Sequence, residues 1–323
     1  MNQLTPPQTG QAIEKWTDPD WTAKGEQRAS VPLQGPHGQG AETLWFNTGT
    51  LCNIECVSCY IESSPTNDRL VYLTAAEVSV YLDEVQALGW PTREIGFTGG
   101  EPFMNREFLA MLDDALSRGF EVLVLTNAMR PMMRPRMQAG LLDLLERYGH
   151  RLTLRVSLDH YTAKNHDEER GDSVFDEAMK GMQWLAENGF KIAVAGRTMW
   201  GEAEETARGG YKELFSRNGF PIEANDPAAL VLFPEMDESV EVPEITTACW
   251  GILGKRPDQV MCASSRMVVK RKGAAKPVVL ACTLIPYDAS FEMGTTLAAA
   301  SAPVKLKHRH CAKFCVLGGA SCS

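Results

Sequence analysis

No apolar run in the 323 residues approaches the roughly 18 that a membrane-crossing helix requires. The first residues, Met1-Asn-Gln-Leu-Thr-Pro-Pro-Gln8, have neither the basic start nor the apolar stretch of a secretory signal. Positive charge is in deficit: 32 lysines and arginines face 41 aspartates and glutamates, a formal net charge of −9. That balance lacks the basic surface needed for general binding to nucleic acid or to an anionic membrane, although it does not exclude a local basic pocket. These absences together imply a cytoplasmic protein. A reducing compartment keeps thiols from pairing, so the nine cysteines need a use other than disulfides, and an odd number suits a disulfide framework poorly.

What is present is an ordinary globular composition, 44% hydrophobic and 23% charged, in a chain long enough for one large domain or one large and one small. Residues 1–42 are rich in Pro, Gly, Gln and polar side chains and read as an extended lead-in, packed locally through Trp16 and Trp21. From residue 43 strand and helix signals alternate. Leu44–Phe46 reads as a strand. Thr74 and Glu77 form a capping box before a helix whose face is Val78, Tyr81, Leu82, Val85 and Leu88, stopped by Gly89. Further strands are expected at 95–97, 122–125, 152–158, 190–194 and 230–233, with helical stripes at 108–116, 141–145 and 175–185. Such alternation implies a parallel sheet, wrapped by the crossover rule into a barrel or partial barrel, with ligands at the C-terminal strand ends. After about residue 236 the rhythm stops, and six of the nine cysteines lie in what remains. The expected fold class is therefore α/β: a partial (β/α)6 TIM-like barrel over 43–235, followed by a small metal-stapled domain over 236–323.

Cys52, Cys56 and Cys59 stand in the stretch Leu51-Cys-Asn-Ile-Glu-Cys-Val-Ser-Cys-Tyr60, directly after the first predicted strand. Three thiolates at this spacing can hold three corners of a four-iron cluster and leave one iron open to a small molecule. The alternatives are a structural zinc site or three unrelated buried thiols. A closed zinc site needs four ligands, and the neighbouring residues offer no obvious fourth.

With Thr98-Gly-Gly-Glu-Pro102 following at a strand end about 40 residues later, the cysteine loop resembles the radical S-adenosylmethionine (SAM) superfamily, over roughly residues 43–235. The resemblance implies that Cys52, Cys56 and Cys59 bind the cluster and that SAM chelates the open iron through its amino and carboxylate groups. One electron then splits the sulfonium, and the resulting 5′-deoxyadenosyl radical takes a hydrogen atom from substrate. It further implies that Gly99, Gly100, Glu101 and Pro102 lie along the methionine part of SAM. Asn127 after the third strand, Ser157 and Asp159 in Ser157-Leu-Asp-His160 after the fourth, and Arg197 after the fifth are implied SAM contacts. Capping of a strand or turn is the alternative for each. Asp167–Arg170 reads as a solvated loop, and Arg170-Gly171 resembles a loop of peptide-modifying relatives. One residue departs from the family pattern: Ser58 stands before the third cysteine, where an aromatic usually packs near adenine, and Tyr60 could supply that packing instead.

The later cysteines resemble the auxiliary-cluster extensions of the family, called SPASM or twitch domains. One auxiliary [4Fe-4S] cluster, with four ligands drawn from Cys262, Cys282, Cys311, Cys315 and Cys322, suits the number available better than two fully ligated clusters. Zinc, with His308 or His310 as a further ligand, is the alternative, and Cys249 is either a small buried hydrophobe or a ligand. The resemblance implies oxidative modification of a peptide or small metabolite, with an electron donor such as flavodoxin or ferredoxin and no nucleic-acid or membrane partner. The rival expectation is a non-catalytic iron–sulfur protein that carries electrons or assembles clusters.

Overall fold

The alternation of strand and helix signals after residue 43 builds the sheet it predicts. The computed structural model describes residues 14–234 and 240–318. Six strands are β1 (Thr43–Asn47), β2 (Glu94–Thr98), β3 (Glu121–Thr126), β4 (Leu152–Ser157), β5 (Lys191–Arg197) and β6 (Leu230–Phe233). They pair in sequence order and are all parallel. The crossovers are α1 (Ala75–Leu88), α2 (Phe108–Ser117), α3 (Pro135–Tyr148), α4 (Ala163–Arg170) with α5 (Val174–Glu187), and α6 (Glu204–Asn218).

Local chemistry sets these boundaries. The Thr74 hydroxyl accepts from the Glu77 amide at 3.2 Å, and the Glu77 carboxylate accepts from the Thr74 amide at 3.0 Å, which satisfies two otherwise orphaned donors at the start of α1. Gly89 ends it in the left-handed region, at φ 62°. Alternation along β1 then divides the interior in two. Leu44 and Phe46 join Ile95, Phe97, Val122 and Val124 in the core shared with the helices. Trp45 points the other way, into a second core with Leu123, Met267, Leu280, Phe291 and Phe314. Gly96 makes room for it: a Cβ there would sit 2.4 Å from the Trp45 ring.

In three places the structure differs from the local reading. The sheet continues past residue 236: β7 (Ser265–Val269) pairs parallel with β1, and β8 (Val278–Leu280) pairs antiparallel with β7. The expected boundary at 235/236 itself lies outside the described residues. The β-like stretches at 267–270 and 277–280 are legible in the sequence, but the pairing of β7 with β1, more than 200 positions away, leaves no local signal. The lead-in, too, is tied down from a distance. Ser30–Val31 pairs antiparallel with Val304–Lys305, and wholly buried Arg28 meets Glu244 at 2.6 Å. Finally, residues 167–170 close α4 and are not a solvated loop; Glu169 is buried, and Arg170 faces inward. Among the described residues no helix is long and apolar enough to cross a membrane.

Candidate active site and a second cysteine site

The C-terminal ends of the parallel strands meet the loop after β1 around a cavity of about 190 Å³. Cys52, Cys56 and Cys59 line it, and no histidine or further cysteine among the described residues does. One backbone and one side-chain amide serve the sulfurs: Ser63 N–H donates to Cys59 Sγ at 3.3 Å, and the Asn127 side-chain Nδ2 lies 3.9 Å from Cys52 Sγ. Burial pushes the Cys52 thiol up to about 12 and raises that of Cys56. Without metal these groups are neutral thiols, so binding iron must displace their protons. Among the described residues no three or more metal-binding side chains are drawn tightly enough to hold a single ion. Three thiols spread around a cavity suit the donor set of a multi-iron cluster, in which each sulfur serves a different metal. The residues fit such a group.

Gly99 and Gly100 line the same cavity, but their smallness answers a protein contact. A Cβ on Gly100 would sit 2.3 Å from the Leu51 carbonyl, and one on Gly99, at φ 137°, would sit 2.5 Å from the Gly49 carbonyl. The two glycines let the end of β2 touch the cysteine loop. Glu101 and Pro102 are buried behind the cavity wall. The Glu101 carboxylate accepts from Phe103 N–H at 3.2 Å, Asn127 N–H at 2.9 Å and the Thr126 hydroxyl at 3.0 Å. Burial pushes it up to about 7 against these bonds. In this state it joins β2 to β3; it does not line the cavity.

Asn127, Ser157, Asp159 and Arg197 all line the cavity. Three of them are already engaged; Asn127 donates through Nδ2 to Asn53 Oδ1 at 2.9 Å and accepts through Oδ1 from the Met129 amide at 3.1 Å. Arg170, missed in the sequence, clamps Asp159 through two parallel bonds of 2.7 and 2.9 Å. Burial alone would raise Asp159, but Arg170 outweighs it and holds the carboxyl below its usual range. Burial likewise opposes the Arg170 charge, which the ion pair with Asp159 more than restores. Arg197 donates to the Ser58 hydroxyl and carbonyl and lies 3.9 Å from Glu169, which itself accepts from Ser58. Ser58 is therefore a polar link between the cysteine loop, α4 and β5 where the family pattern has an aromatic. Tyr60, Ile61, Phe233 and Phe314 supply apolar walls. His160 turns elsewhere: its ring bonds Thr162 and Glu202, each at 2.8 Å.

The second site lies in the C-terminal part. Cys262, Cys282, Cys311 and Cys315 line one smaller cavity of about 20 Å³, with His310 and apolar side chains including Met261, Phe291 and Leu306. Cys322 lies outside the described residues, and Cys249 does not line this cavity. Burial pushes Cys262 up to about 11 and Cys311 up to about 12. None of the eight described cysteines is joined in a disulfide. Leu284, whose amide lies 3.4 Å from Cys282 Sγ, lines both cavities.

Comparison with known proteins agrees with this geometry. AlbA of Bacillus subtilis (strain 168), an antilisterial bacteriocin subtilosin biosynthesis protein, is 31% identical over 175 residues, 54% of this chain and 35% of its own length. The mycofactocin maturase MftC of Mycobacterium tuberculosis (strain CDC 1551 / Oshkosh) is 30% identical over 148 residues, 44% of this chain and 34% of its own. This chain thus spans about a third of those relatives' length. The crystal structure of Streptococcus suis SuiB bound to S-adenosylmethionine shares the fold at a TM-score of 0.56 and 14% identity, covering 80% of this chain and 64% of that one. The Radical SAM superfamily profile matches residues 46–207, which include the three-cysteine loop, the Gly-Gly pair and all the polar strand ends just described, and the chain belongs to that superfamily.

Proposed function

We propose that this chain is an enzyme that cleaves SAM reductively at a [4Fe-4S] cluster held by Cys52, Cys56 and Cys59, and abstracts hydrogen from a peptide substrate. One observation carries the reading: three cysteines, with no fourth cysteine or histidine beside them among the described residues, open onto a cavity of about 190 Å³. A carrier that only stored electrons would gain from a fully ligated, closed centre. When bound, the cluster and SAM together supply one-electron cleavage of the sulfonium to methionine and a hydrogen-abstracting adenosyl fragment.

The protein's own residues bind and orient. Asn127, Ser157 and Arg197 offer polar atoms at three adjacent strand ends, suited to the amino, ribose and carboxylate groups of SAM. Asp159, held by Arg170, keeps a negative charge at the fourth strand end. Glu101 fixes the spacing of β2 and β3 beneath them. Ile61, Phe233, Leu284 and Phe314 exclude water from the apolar part of the cavity, which protects a reactive intermediate from side reactions.

Cys262, Cys282, Cys311 and Cys315 provide four ligands for an auxiliary [4Fe-4S] cluster on the far side of Leu284. Held there, it would supply an acceptor for the electron that a substrate radical gives up, as a net oxidation or cross-link with loss of a proton requires. The likeness to AlbA, named for bacteriocin biosynthesis, supports a peptide as substrate. A small reduced protein such as flavodoxin or ferredoxin would supply the first electron.

The test is anaerobic. After reconstitution with iron and sulfide, reductant and SAM are added and 5′-deoxyadenosine is measured. The reading expects that product from the wild-type chain. Its absence from a fully assembled, reduced sample would contradict it.

A further inference from the structure

Arg266, on β7, has no exposed surface. Its guanidinium donates to Ala300 O at 2.8 Å, Cys262 O at 2.6 Å, Ser265 O at 2.8 Å and Ala302 O at 3.3 Å. Each of these acceptors is a neutral carbonyl. Among the described residues no carboxylate lies within ion-pair distance of it. Other buried arginines here are treated differently: Arg28 meets Glu244 at 2.6 Å, and Arg170 meets Asp159 at 2.7 Å. A fully buried cation without a counter-charge is costly, because carbonyl dipoles replace only part of the hydration it loses. The bond to the Cys262 carbonyl seats this cation against a cysteine of the second site, and the thiols of Cys262 and Cys282 lie close enough to interact with it.

Both thiols line the four-cysteine cavity. A [4Fe-4S] centre with four thiolate ligands carries net negative charge, and one more unit when reduced, so a fixed neighbouring cation favours the reduced form. We infer that Arg266 is the built-in counter-ion of the C-terminal cluster and holds its reduction potential higher than the same four cysteines would give alone. The inference rests on the reading of Cys262, Cys282, Cys311 and Cys315 as cluster ligands. Arg266 is a positioning residue in this account: its carbonyl bonds fix the charge beside the cluster without touching substrate. A cluster poised upward is a better acceptor for an electron arriving across Leu284.

The experiment uses the full chain with Cys52, Cys56 and Cys59 all changed to alanine, so that only the C-terminal centre remains. Iron and sulfide are counted after anaerobic reconstitution, and the midpoint potential is followed by electron paramagnetic resonance (EPR). The comparison is among Arg266, R266K and R266M on this background, with circular dichroism reporting the fold. The expected result is a negative shift for R266M and a potential near the parent's for R266K, which keeps the charge. If R266M folds but takes up no cluster while R266K does, the need for a cation at this place is equally supported. A folded R266M with the parent's potential would overturn the inference. So would failure of both variants to hold a cluster, since Arg266 would then be only a brace between Cys262 and Ala300–Ala302. If the triple-alanine parent itself takes up no iron and sulfide, the ligand assignment fails instead, an outcome distinct from the others.

Discussion

The two cysteine sites differ in every respect that decides what a metal centre can do. At the end of β1, three cysteines face a cavity of about 190 Å³ whose walls mix polar strand ends with apolar rings. In the C-terminal part, four cysteines surround a cavity of about 20 Å³ that is mostly apolar. The first has the larger volume and several hydrogen-bonding side chains; the second is small, and His310 is the one polar side chain besides the thiols in its described lining. Their charged neighbours differ as well. Arg170 at the first site is neutralised by Asp159, whereas Arg266 at the second has only carbonyls and thiols. On the proposed reading, the same ligand chemistry is arranged for substrate activation at one place and for accepting an electron at the other.

The largest effect that would sharpen this contrast comes from removing one cysteine at each site. Cys56→Ala is expected to abolish 5′-deoxyadenosine formation while leaving the C-terminal cluster, about four irons, in place. Cys282→Ala is expected to lose that second cluster and keep SAM cleavage. Iron analysis together with product chromatography checks both, and equal loss of cleavage in the two variants would break the contrast.

Next in size is the buried clamp behind the first site. Asp159→Asn leaves the Arg170 charge buried without its partner and should destabilise the chain by about 3–5 kcal/mol. Anaerobic denaturant unfolding of the metal-free protein reads this directly. A change within 1 kcal/mol or so would mean that water reaches the pair.

A third, smaller effect is pH-dependent. His166 is wholly buried; its Nδ1 accepts from the Asp159 amide at 3.1 Å, and its Nε2 has no partner. Burial, aided by Arg170, pushes it from 6.5 down to about 4. Between those values the unfolded chain binds a proton that the native chain does not, so stability falls as pH drops through this window, by about 3 kcal/mol in all. Glu101 has the opposite sign, since burial raises its native value and its contribution is lost as pH rises toward 7. The His166 part is therefore read as the difference between wild type and H166F across pH 6.5 to 4. Parallel curves for the two proteins would refute it.

The smallest expected change is at Gly100. Alanine there would press its Cβ to within 2.3 Å of the Leu51 carbonyl, displacing the cysteine loop at a cost of about 1–3 kcal/mol. First-site iron should become easier to remove by a chelator, while second-site iron should not. Equal retention at both sites would show that the loop yields without consequence.

The sequence shows the barrel plainly because each strand and helix carries its own periodicity, and the Thr74–Glu77 box and Gly89 stop form as the residues predict. The three-cysteine loop is equally legible, since its ligands lie within eight residues. What stays hidden is long-range. Nothing local in Ser265–Val269 says that its sheet partner is β1. The charged run at 167–170 resembles solvent-facing chain, yet His166, Glu169 and Arg170 fall on one helical face at i, i+3 and i+4. That spacing was the available signal for the inward pair Glu169–Arg170, and its polarity disguised it. The Gly-Gly pair shows another limit. Its residues are legible as a close approach, but the approaching group in the structure is the Gly49–Leu51 backbone.

The open first site and closed second site can be tested most directly by EPR of reduced, reconstituted protein before and after SAM is added. The comparison is between Cys282→Ala and the chain lacking Cys52, Cys56 and Cys59. The account predicts that SAM changes the spectrum of the first variant and leaves that of the second unaltered. A spectrum that responds to SAM only when the C-terminal cysteines are the ones retained, or in neither variant, would contradict it.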